Sequence, residues 1–368
     1  MPVPLLDLRA QYRRIRSEID AAVAEVFESQ MFVGGPKVEA LERAAGAYLG
    51  AEHAVAVASG TDALLLSLKA VGVESGDEVI TSTFSFFATA GATVNAGGVP
   101  VFVDVDPDTL NLDPAQVEAR ITGRTRGIVP VHLFGQCADM DPILALAARH
   151  GISVVEDAAQ AIGARYKGRM ATTLGDAAAI SFYPTKNLGG AGDAGMAVAR
   201  DAAVAGALRI LRNHGSEKTY HHRVVGTNSR LDAIQAAVLL VKLKYIDAWN
   251  EARRAHAAYY DERFAEVGEV ATPIARPECH HVYHQYVIRV PERDAACRFL
   301  AERGVGCAVF YPIPLHEQEC FARFGPHAPC PVASQASREV LALPVYPELT
   351  REQQDEVVEA VKDHLAHR

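Results

Sequence analysis

The chain has 368 residues, 49% of them hydrophobic, which is enough for a large buried core in one large domain with a smaller one. Its formal net charge of -9, without a long run of like charge, excludes nucleic acid and an anionic membrane surface as expected partners. The six cysteines lack C-x-x-C spacing, so reduced thiols are expected and not zinc ligands or disulfides. The N-terminus "MPVPLLDLRAQYRR" does not resemble a signal peptide, and no apolar stretch approaches a transmembrane span. We therefore expect a cytoplasmic protein.

The first 200 residues predict a mostly parallel sheet with helices on both faces. An amphipathic helix covers residues 19–27, and helical spacing recurs over 61–72, 139–150 and 202–212. Short, continuously apolar runs separated by helices are typical of parallel strands that are buried on both sides. We predict an α/β domain of about seven strands. Its candidate strands are HAVAVAS, DEVITS, VPVFVDV, GIVPVHL, ISVVED, AAAISFY and GMAVA.

The remainder of the chain predicts a second, smaller unit. A long helix is expected from Leu231 to Phe264, and we place a domain transition near residue 250. The runs YHQYVIRV, GCAVFYP and REQQDEVVEAVKDHL then predict a small α/β unit. The expected division is a large domain over residues 1–250 and a small C-terminal domain over 251–368. Ligand sites in open parallel sheets lie beyond the carboxyl ends of the strands, so residues that follow strands are the candidates.

The stretch SFYPTKNLGGAGDAGMAVA, residues 181–199, carries two competing signals. Gly190, Gly192 and Gly195 match the G-x-G-x-x-G pattern of a dinucleotide loop. That motif must open a helix in the first βα unit, whereas these glycines follow about six strands and lead into another. We interpret them as a turn between two strands. The second signal is Lys186, which follows the strand AAAISFY and can project over the carboxyl edge of the sheet.

Polar and small residues follow other predicted strands. Asp157 ends ISVVED, where it is either a helix N-cap or a buried carboxylate that pairs with a protonated ring nitrogen. Ser59, Gly60 and Thr61 precede an apolar helix, whose N-terminus is a ready phosphate site, although ordinary capping uses the same residue types. Ser181 can add a hydroxyl to the same anion.

These candidates together predict a pyridoxal phosphate (PLP) site. The three phenylalanines of TSTFSFFATA are either core residues or include one that stacks on an aromatic ligand. A phosphate cradle, an aromatic platform, a carboxylate for a ring nitrogen and a lysine for a Schiff base are the set that PLP needs. Lys186 must then be neutral to move protons, and burial beside a cationic cofactor predicts a depressed pKa. The expected chemistry is ping-pong transamination, with L-glutamate as the donor.

Several motifs resemble the DegT/DnrJ/EryC1/StrS family of sugar aminotransferases over nearly the whole chain: SGTDALLL, EDAAQAIGA, SFYPTKNLGGAGDAGM, NSRLDAIQAAVL and YPIPLH. The resemblance implies an aspartate aminotransferase-like (fold type I) architecture and a homodimer with active sites at the subunit interface. It implies that Lys186 holds PLP as a Schiff base and that Asp157 pairs with the pyridine nitrogen. The further cofactor contacts that it implies are Gln160 near the ring and its 3-hydroxyl, Gly60, Thr61 and Ser181 at the phosphate, and Phe86 stacked on the ring.

Other residues are expected to act across the subunit interface or on the sugar. The resemblance implies that Arg230, with Asn228 beside it, reaches the phosphate of the other subunit; without the family, Arg230 reads as a surface arginine. The candidates to face the sugar are Tyr183, Asn213, His214, Tyr311 and His316. The cluster of Cys279, His280, His281 and His284 matches no standard zinc spacing, so no metal is expected.

The sequence also bears on the substrate. Many members that aminate 4-keto sugars read SFH before the lysine and GEGG after it, whereas this chain reads SFYPTK and GDAG. It thus resembles the branch that acts on dTDP- or UDP-linked 3-keto sugars, and Lys186 argues against the relatives that carry histidine there and act as dehydratases. The alternatives are a 4-keto sugar, a cyclitol ketone, or a catalytically idle, PLP-bound regulator.

Overall fold

The computed structural model describes residues 2–366. Its helices are α1 Leu8–Ser29, α2 Gly35–Leu49, α3 Gly60–Ala70, α4 Ala88–Ala96, α5 Met140–His150, α6 Ala202–Leu211, α7 Ala233–Leu243, α8 Ile246–Phe264, α9 Arg293–Glu302, α10 Pro331–Glu339 and α11 Arg351–Ala366. Its strands are β1 His53–Val57, β2 Glu78–Ser82, β3 Val99–Val103, β4 Thr125–Val129, β5 Ser153–Asp157, β6 Arg165–Tyr166, β7 Arg169–Met170, β8 Ala177–Ser181, β9 Gly195–Ala199, β10 Ser216–Lys218, β11 His221–His222, β12 Cys279–His280, β13 Tyr286–Arg289 and β14 Val340–Leu343. Within the described chain, no helix combines the length and apolar character that crossing a bilayer requires.

A seven-stranded sheet forms the centre of the molecule, in the order β1-β9-β8-β5-β4-β2-β3. The strands β8, β5, β4, β2 and β3 pair in parallel, and β9 runs antiparallel to both of its neighbours. Each of the seven apolar runs in the sequence overlaps one of these strands, so the predicted sheet is confirmed.

Alternation along the strands decides which face each residue occupies. Ala177 and Ala179 of β8 pack in the core that contains α3, whereas Ala178 and Ile180 pack in the core that contains α2 and α7. Asp157, the last residue of β5, is paired with Ala179 and so lies on the α3 side. Because side chains alternate between the two faces of a sheet, the last side chains of β5 and β8 face the N-terminus of α3.

The second core lies outside the large sheet and combines both ends of the chain. Val3 pairs with Val305 and packs in one cluster with Tyr260, Ile288 and Leu341. The strands β13 and β14 and the helices α8, α9 and α11 supply the rest of this cluster. Residue 250 lies inside α8, and the division into domains at this position stays a prediction.

The single helix expected from Leu231 to Phe264 is wrong, because the chain breaks between α7 and α8. The N–H groups of Lys244 and Tyr245 bond to carbonyls three residues back, which closes α7 with a tight turn. The Tyr245 ring stacks on Trp249 and its hydroxyl donates to Glu18 of α1. The break therefore reflects packing against α1, which helical periodicity does not encode.

Glycines permit close contacts around the end of β8. A Cβ on Gly60 would lie 2.6 Å from the Cβ of Ser181, and a Cβ on Gly195 would lie 2.3 Å from the carbonyl of Ser59. Gly190 and Gly192 leave room for the amide of Gln235 from α7, which a Cβ would approach to 2.7 and 3.0 Å. The connection that contains these glycines leads into β9 and not into a helix, which excludes the dinucleotide-loop geometry.

Gly195→Ala is expected to destabilise the fold by about 1–3 kcal/mol, because the new methyl group overlaps backbone that cannot rotate away. Gly206→Ala in α6 is the matched control, since its Cβ would meet nothing within 4 Å and alanine favours a helix. Urea unfolding of both variants measures the difference. Equal midpoints for the two would contradict the close contact at Gly195.

Candidate active site

A cavity of about 490 Å³ opens at the carboxyl ends of β5 and β8, beside the N-terminus of α3. This is the edge at which open parallel sheets bind ligands. The lining brings together most of the residues predicted from the sequence. They are Gly60, Thr61, Phe86, Asp157, Gln160, Ser181, Tyr183, Lys186 and Tyr311.

Asp157 is a buried carboxylate in this lining, with 5% of its surface exposed. Thr89 Oγ1 donates to its Oδ2 at 2.7 Å, and the N–H of Ala159 donates to its Oδ1 at 3.2 Å. Burial raises the pKa of Asp157, and these two hydrogen bonds and the charge of Lys186 oppose that shift. Turns follow Asp157 and not a helix, so the N-cap alternative does not apply.

Lys186 lies in the same cavity, on the loop that follows β8. Desolvation lowers its pKa to about 8, although the negative charge of Asp157 opposes the shift. The loop is held by its own backbone, where the N–H of Lys186 donates to the Tyr183 carbonyl at 2.8 Å. Two side chains of α7 hold its far end: Lys242 Nζ donates to the Gly189 carbonyl at 2.7 Å, and Gln235 Oε1 accepts from the N–H of Ala191 at 2.7 Å. The predicted depression of the Lys186 pKa is thus supported by its surroundings.

The N-terminus of α3 forms one wall of the cavity. Ser59 is the N-cap, and its Oγ accepts from the N–H of Asp62 at 3.1 Å. Gly60 and Thr61 form the first helical positions, whose N–H groups have no intrahelical partners. Ser59 therefore caps α3. The positive end of the helix still faces Ser181 and the cavity, where it stabilises an anion.

An amide and two aromatic rings complete the lining. Gln160 Oε1 accepts from the N–H of Phe134 at 2.7 Å, and its Nε2 lies 2.9 Å from the hydroxyl of Tyr311. Burial raises the pKa of Tyr311, so its hydroxyl stays protonated. Phe86 is 58% exposed, and its ring centroid lies 6.4 Å from that of Tyr311. A phenylalanine left open at a cavity of this kind offers a face to a planar ligand.

Five predicted residues do not line the cavity. Arg230 donates to Asn213 Oδ1 at 3.1 Å, and Asn213 pairs with Asn228 through a backbone bridge. With His214, they form a group at the surface that a single chain does not bring to Lys186. His316 is half-buried, and its Nδ1 lies 2.6 Å from Thr83 Oγ1, also outside the lining.

The histidine cluster near β12 forms no metal-binding arrangement. His281 Nδ1 accepts from the N–H of Tyr283 at 2.9 Å, and His284 Nδ1 contacts Asn187 Oδ1 at 3.1 Å. Across residues 2–366, no group of three or more His, Cys, Asp or Glu side chains is placed to hold a metal ion.

The model of the DegT/DnrJ/EryC1/StrS aminotransferase family matches residues 13–362. The chain belongs to this family. A "Pleiotropic regulatory protein" of Geobacillus stearothermophilus is 50% identical over 100% of both chains. The "UDP-N-acetyl-3-dehydro-alpha-D-glucosamine 3-aminotranferase" of Acidithiobacillus ferrooxidans is 45% identical over 95% of this chain and 95% of that protein.

A solved structure supports the same assignment. The crystal structure of S. venezuelae DesV in complex with a ketimine intermediate superposes with a TM-score of 0.96 and 44% identity, covering 100% of this chain and 99% of that one. This DegT/DnrJ/EryC1/StrS aminotransferase therefore has the fold type I architecture expected from its motifs.

Sequence reasoning missed several residues of this aminotransferase's site. Ser85 precedes α4 and Thr89 lies in its first turn, and Ser85 donates to Thr89 at 2.8 Å because Thr89 donates its own hydroxyl hydrogen to Asp157. Their four-residue spacing, directly after a strand end, is the signal that could have found them. His284 and Gln285 also line the cavity, but they come from sequence about a hundred residues beyond Lys186, and no local pattern points to them.

Competitive acetylation of the cofactor-free protein over a range of pH tests the environment of Lys186. The peptide that contains Lys186 is expected to titrate with a midpoint near pH 8, because burial disfavours the ammonium, whereas ordinary lysines titrate near pH ~10.4. Asp157→Asn removes the charge that favours the ammonium, so its midpoint should fall below the wild-type value. Mass spectrometry reads out both, and a wild-type midpoint above pH ~10 would contradict the desolvated site.

Proposed function

We propose that this chain transfers an amino group from L-glutamate to the keto group of a nucleotide-linked sugar, with PLP as its cofactor. The observation that carries the proposal is the shared cavity of Lys186 and Asp157 at the ends of β8 and β5. A lysine with a lowered pKa beside a buried carboxylate supplies both the amine and the ring-nitrogen partner that PLP chemistry requires.

The residues present fit the cofactor at each of its polar positions. Ser181, Gly60 and Thr61 lie together at the start of α3, where backbone N–H groups and hydroxyls suit a phosphate. Asp157 has two hydrogen-bond donors, fewer than a carboxylate can accept, so it retains capacity for a ring N–H. Phe86 supplies the exposed aromatic face. The spacing between a phosphate cradle, a carboxylate and an amine is thus built by the fold itself.

PLP, when bound, supplies an electrophilic carbon for amines and an electron sink for the bond that is broken at the amino acid Cα. Lys186 would hold the cofactor covalently, and its neutral amine would move the proton between the Cα of the amino acid and C4′ of the cofactor. Asp157 would keep the ring nitrogen protonated, and Gln160, which is hydrogen-bonded to Phe134 and Tyr311, would lie near the ring. A pKa of about 8 leaves a fraction of Lys186 neutral near physiological pH, far more than for an ordinary lysine, and this fraction can take up the proton.

The keto sugar carries its carbonyl at C3 and is linked to dTDP or UDP. The SFYPTK and GDAG stretches and the 45% identical relative, whose name specifies a UDP-linked 3-dehydro sugar, support this position over C4 or a cyclitol. Tyr183 and Tyr311 line the cavity and are proposed to face the sugar, with His316 farther out.

The working unit is a homodimer in which each subunit completes the other's site. Arg230, Asn228, Asn213 and His214 are proposed to reach the partner's cofactor and sugar. The exposure of Arg230, Asn228 and His214 supports this role, as does the position of all four residues outside the lining of their own chain's cavity. A large domain over residues 1–250 with a small one over 251–368 belongs to the same proposal, and the cytoplasmic location stays a prediction.

A catalytically idle, PLP-bound regulator is the second candidate. The name of the 50% identical Geobacillus stearothermophilus relative favours it. A regulator needs the cofactor to be held but does not need a neutral lysine, so the two functions differ in what happens when an amino donor is added.

The PLP-loaded protein is expected to be yellow and to bleach when L-glutamate is added, as the amino group passes to the cofactor. Absorbance spectroscopy with detection of 2-oxoglutarate measures the change. Lys186→Ala should show no turnover, because the variant lacks the amine that would hold the cofactor and move the proton. A yellow wild-type protein that does not respond to L-glutamate would favour the regulator.

Shared sites can be tested by mixing two inactive variants, Lys186→Ala and Arg230→Ala. Random subunit exchange should restore about a quarter of the wild-type activity, since half of the dimers are mixed and each mixed dimer has one complete site. Each variant incubated with itself is the control. No recovery after proven exchange would place Arg230 in the site of its own chain, or outside any site.

A further inference from the structure

Asn187, the residue after Lys186, connects the lysine loop to two distant segments. Its Nδ2 donates to Asn250 Oδ1 of α8 at 2.8 Å and to the Val282 carbonyl at 3.1 Å. Its Oδ1 lies 3.1 Å from Nδ1 of His284. All three contacts are buried, so the backbone of Lys186 is anchored through its neighbour's amide.

These contacts define the state of His284. Because Asn187 Nδ2 donates twice, its Oδ1 is the acceptor and His284 Nδ1 carries the hydrogen. The imidazole is 5% exposed and lines the cavity. Burial, with the charges of Lys186 and Arg253, holds the pKa of His284 well below its usual value, so the ring is neutral and Nε2 is unprotonated.

Several contacts hold the segment around His284 in place, so a hydrogen bond from His284 can fix the position of Asn187. Arg253 of α8 donates through one guanidinium nitrogen to the carbonyls of Tyr283, His284 and Val345. On the other side, a Cβ on Gly135 would lie 3.0 Å from the backbone nitrogen of His284, so the two backbones are in close contact.

We propose that His284 is a positioning residue for Lys186, which acts by donating from Nδ1 to Asn187 and so fixing the loop that carries the lysine. This inference rests on the proposed transamination, in which Lys186 must reach two carbon atoms in turn. The role belongs to the Nδ1 hydrogen bond and not to Nε2, which lies 3.5 Å from the amide nitrogen of Gln285. It gives His284, a member of the cluster for which no metal is expected, a role in positioning the lysine.

Three variants of His284 distinguish the roles of its two ring nitrogens. His284→Asn places an amide N–H near the position of Nδ1 and keeps the bond to Asn187, whereas His284→Gln places its amide nearer to Nε2 and loses that bond. His284→Phe keeps the size of the ring and removes both nitrogens. His280→Phe is the matched control, since His280 lies outside the cavity lining and its Nε2 contacts Glu251 at 3.4 Å.

The L-glutamate half-reaction should lose about tenfold or more in kcat per bound PLP in His284→Gln and His284→Phe, with KM changed less than about threefold. His284→Asn should retain most of the wild-type kcat, as should His280→Phe. Absorbance counts the loaded sites, and circular dichroism verifies the fold of each variant. If His284→Phe does not fold, His284→Gln carries the comparison.

Acetylation of Lys186 in the cofactor-free proteins supplies a second readout. Its midpoint should rise from about pH 8 in His284→Gln and His284→Phe, because a loosened lysine gains access to water, and should stay in place in His284→Asn. The proposal is overturned if His284→Asn is as impaired as His284→Phe, or if neither kcat nor the midpoint moves in any variant. Absence of the half-reaction in the wild type would instead overturn the proposed function, and the midpoints would still decide the role of His284.

Discussion

The buried pair of Lys186 and Asp157 is the constraint on which the rest of the site depends. Desolvation pushes both groups toward their neutral forms, and their opposite charges pull them back toward the ionised forms. The balance leaves the lysine with a pKa of about 8, so that small changes in its surroundings switch it between ammonium and amine. The cationic ring nitrogen of PLP would pair with the ionised carboxylate, and its electrophilic carbon would react with the neutral amine.

The neighbouring acid shows why the carboxylate of Asp157, and not that of Glu156, is available in the cavity. Glu156 points to the opposite face of β5, where it is fully buried. It accepts three backbone N–H bonds, from Thr172, Leu174 and Gly175, and contacts His132 Nε2 at 2.8 Å. Its oxygens are therefore occupied by the protein. Among the described hydrogen bonds, the carboxylate of Asp157 accepts only from Thr89 and Ala159, and Asp157 lines the cavity.

The sheet could be predicted because its signals are local, and the same signals suggested Lys186 and Asp157 as site residues. Each of the seven strands overlaps a short apolar run; Asp157 ends one of these runs, and Lys186 lies three residues after another. Contacts between residues far apart in the sequence could not be predicted from such local signals. The break after α7 depends on the hydrogen bond from Tyr245 to Glu18 of α1, which lies 227 positions away in the sequence.

The proposed role of His284 also depends on a contact across 97 positions, with Asn187, so the sequence could only show that the spacing of the cluster does not match a zinc site. The surface group around Arg230 is a different case, because its proposed partner is a second chain. The resemblance to a family supplied that expectation, and the geometry of one subunit is compatible with it.

Borohydride reduction of the PLP-loaded protein, followed by peptide mapping, tests the central assignment most directly. Two lysines have a pKa lowered to about 8 by burial, Lys186 in the cavity and Lys242 on α7, so a depressed pKa alone does not distinguish them. Lys242 donates to the Gly189 carbonyl and lies outside the cavity lining. The pyridoxyl group should be found on Lys186 alone, and its presence on Lys242, or on no lysine, would contradict the site described above.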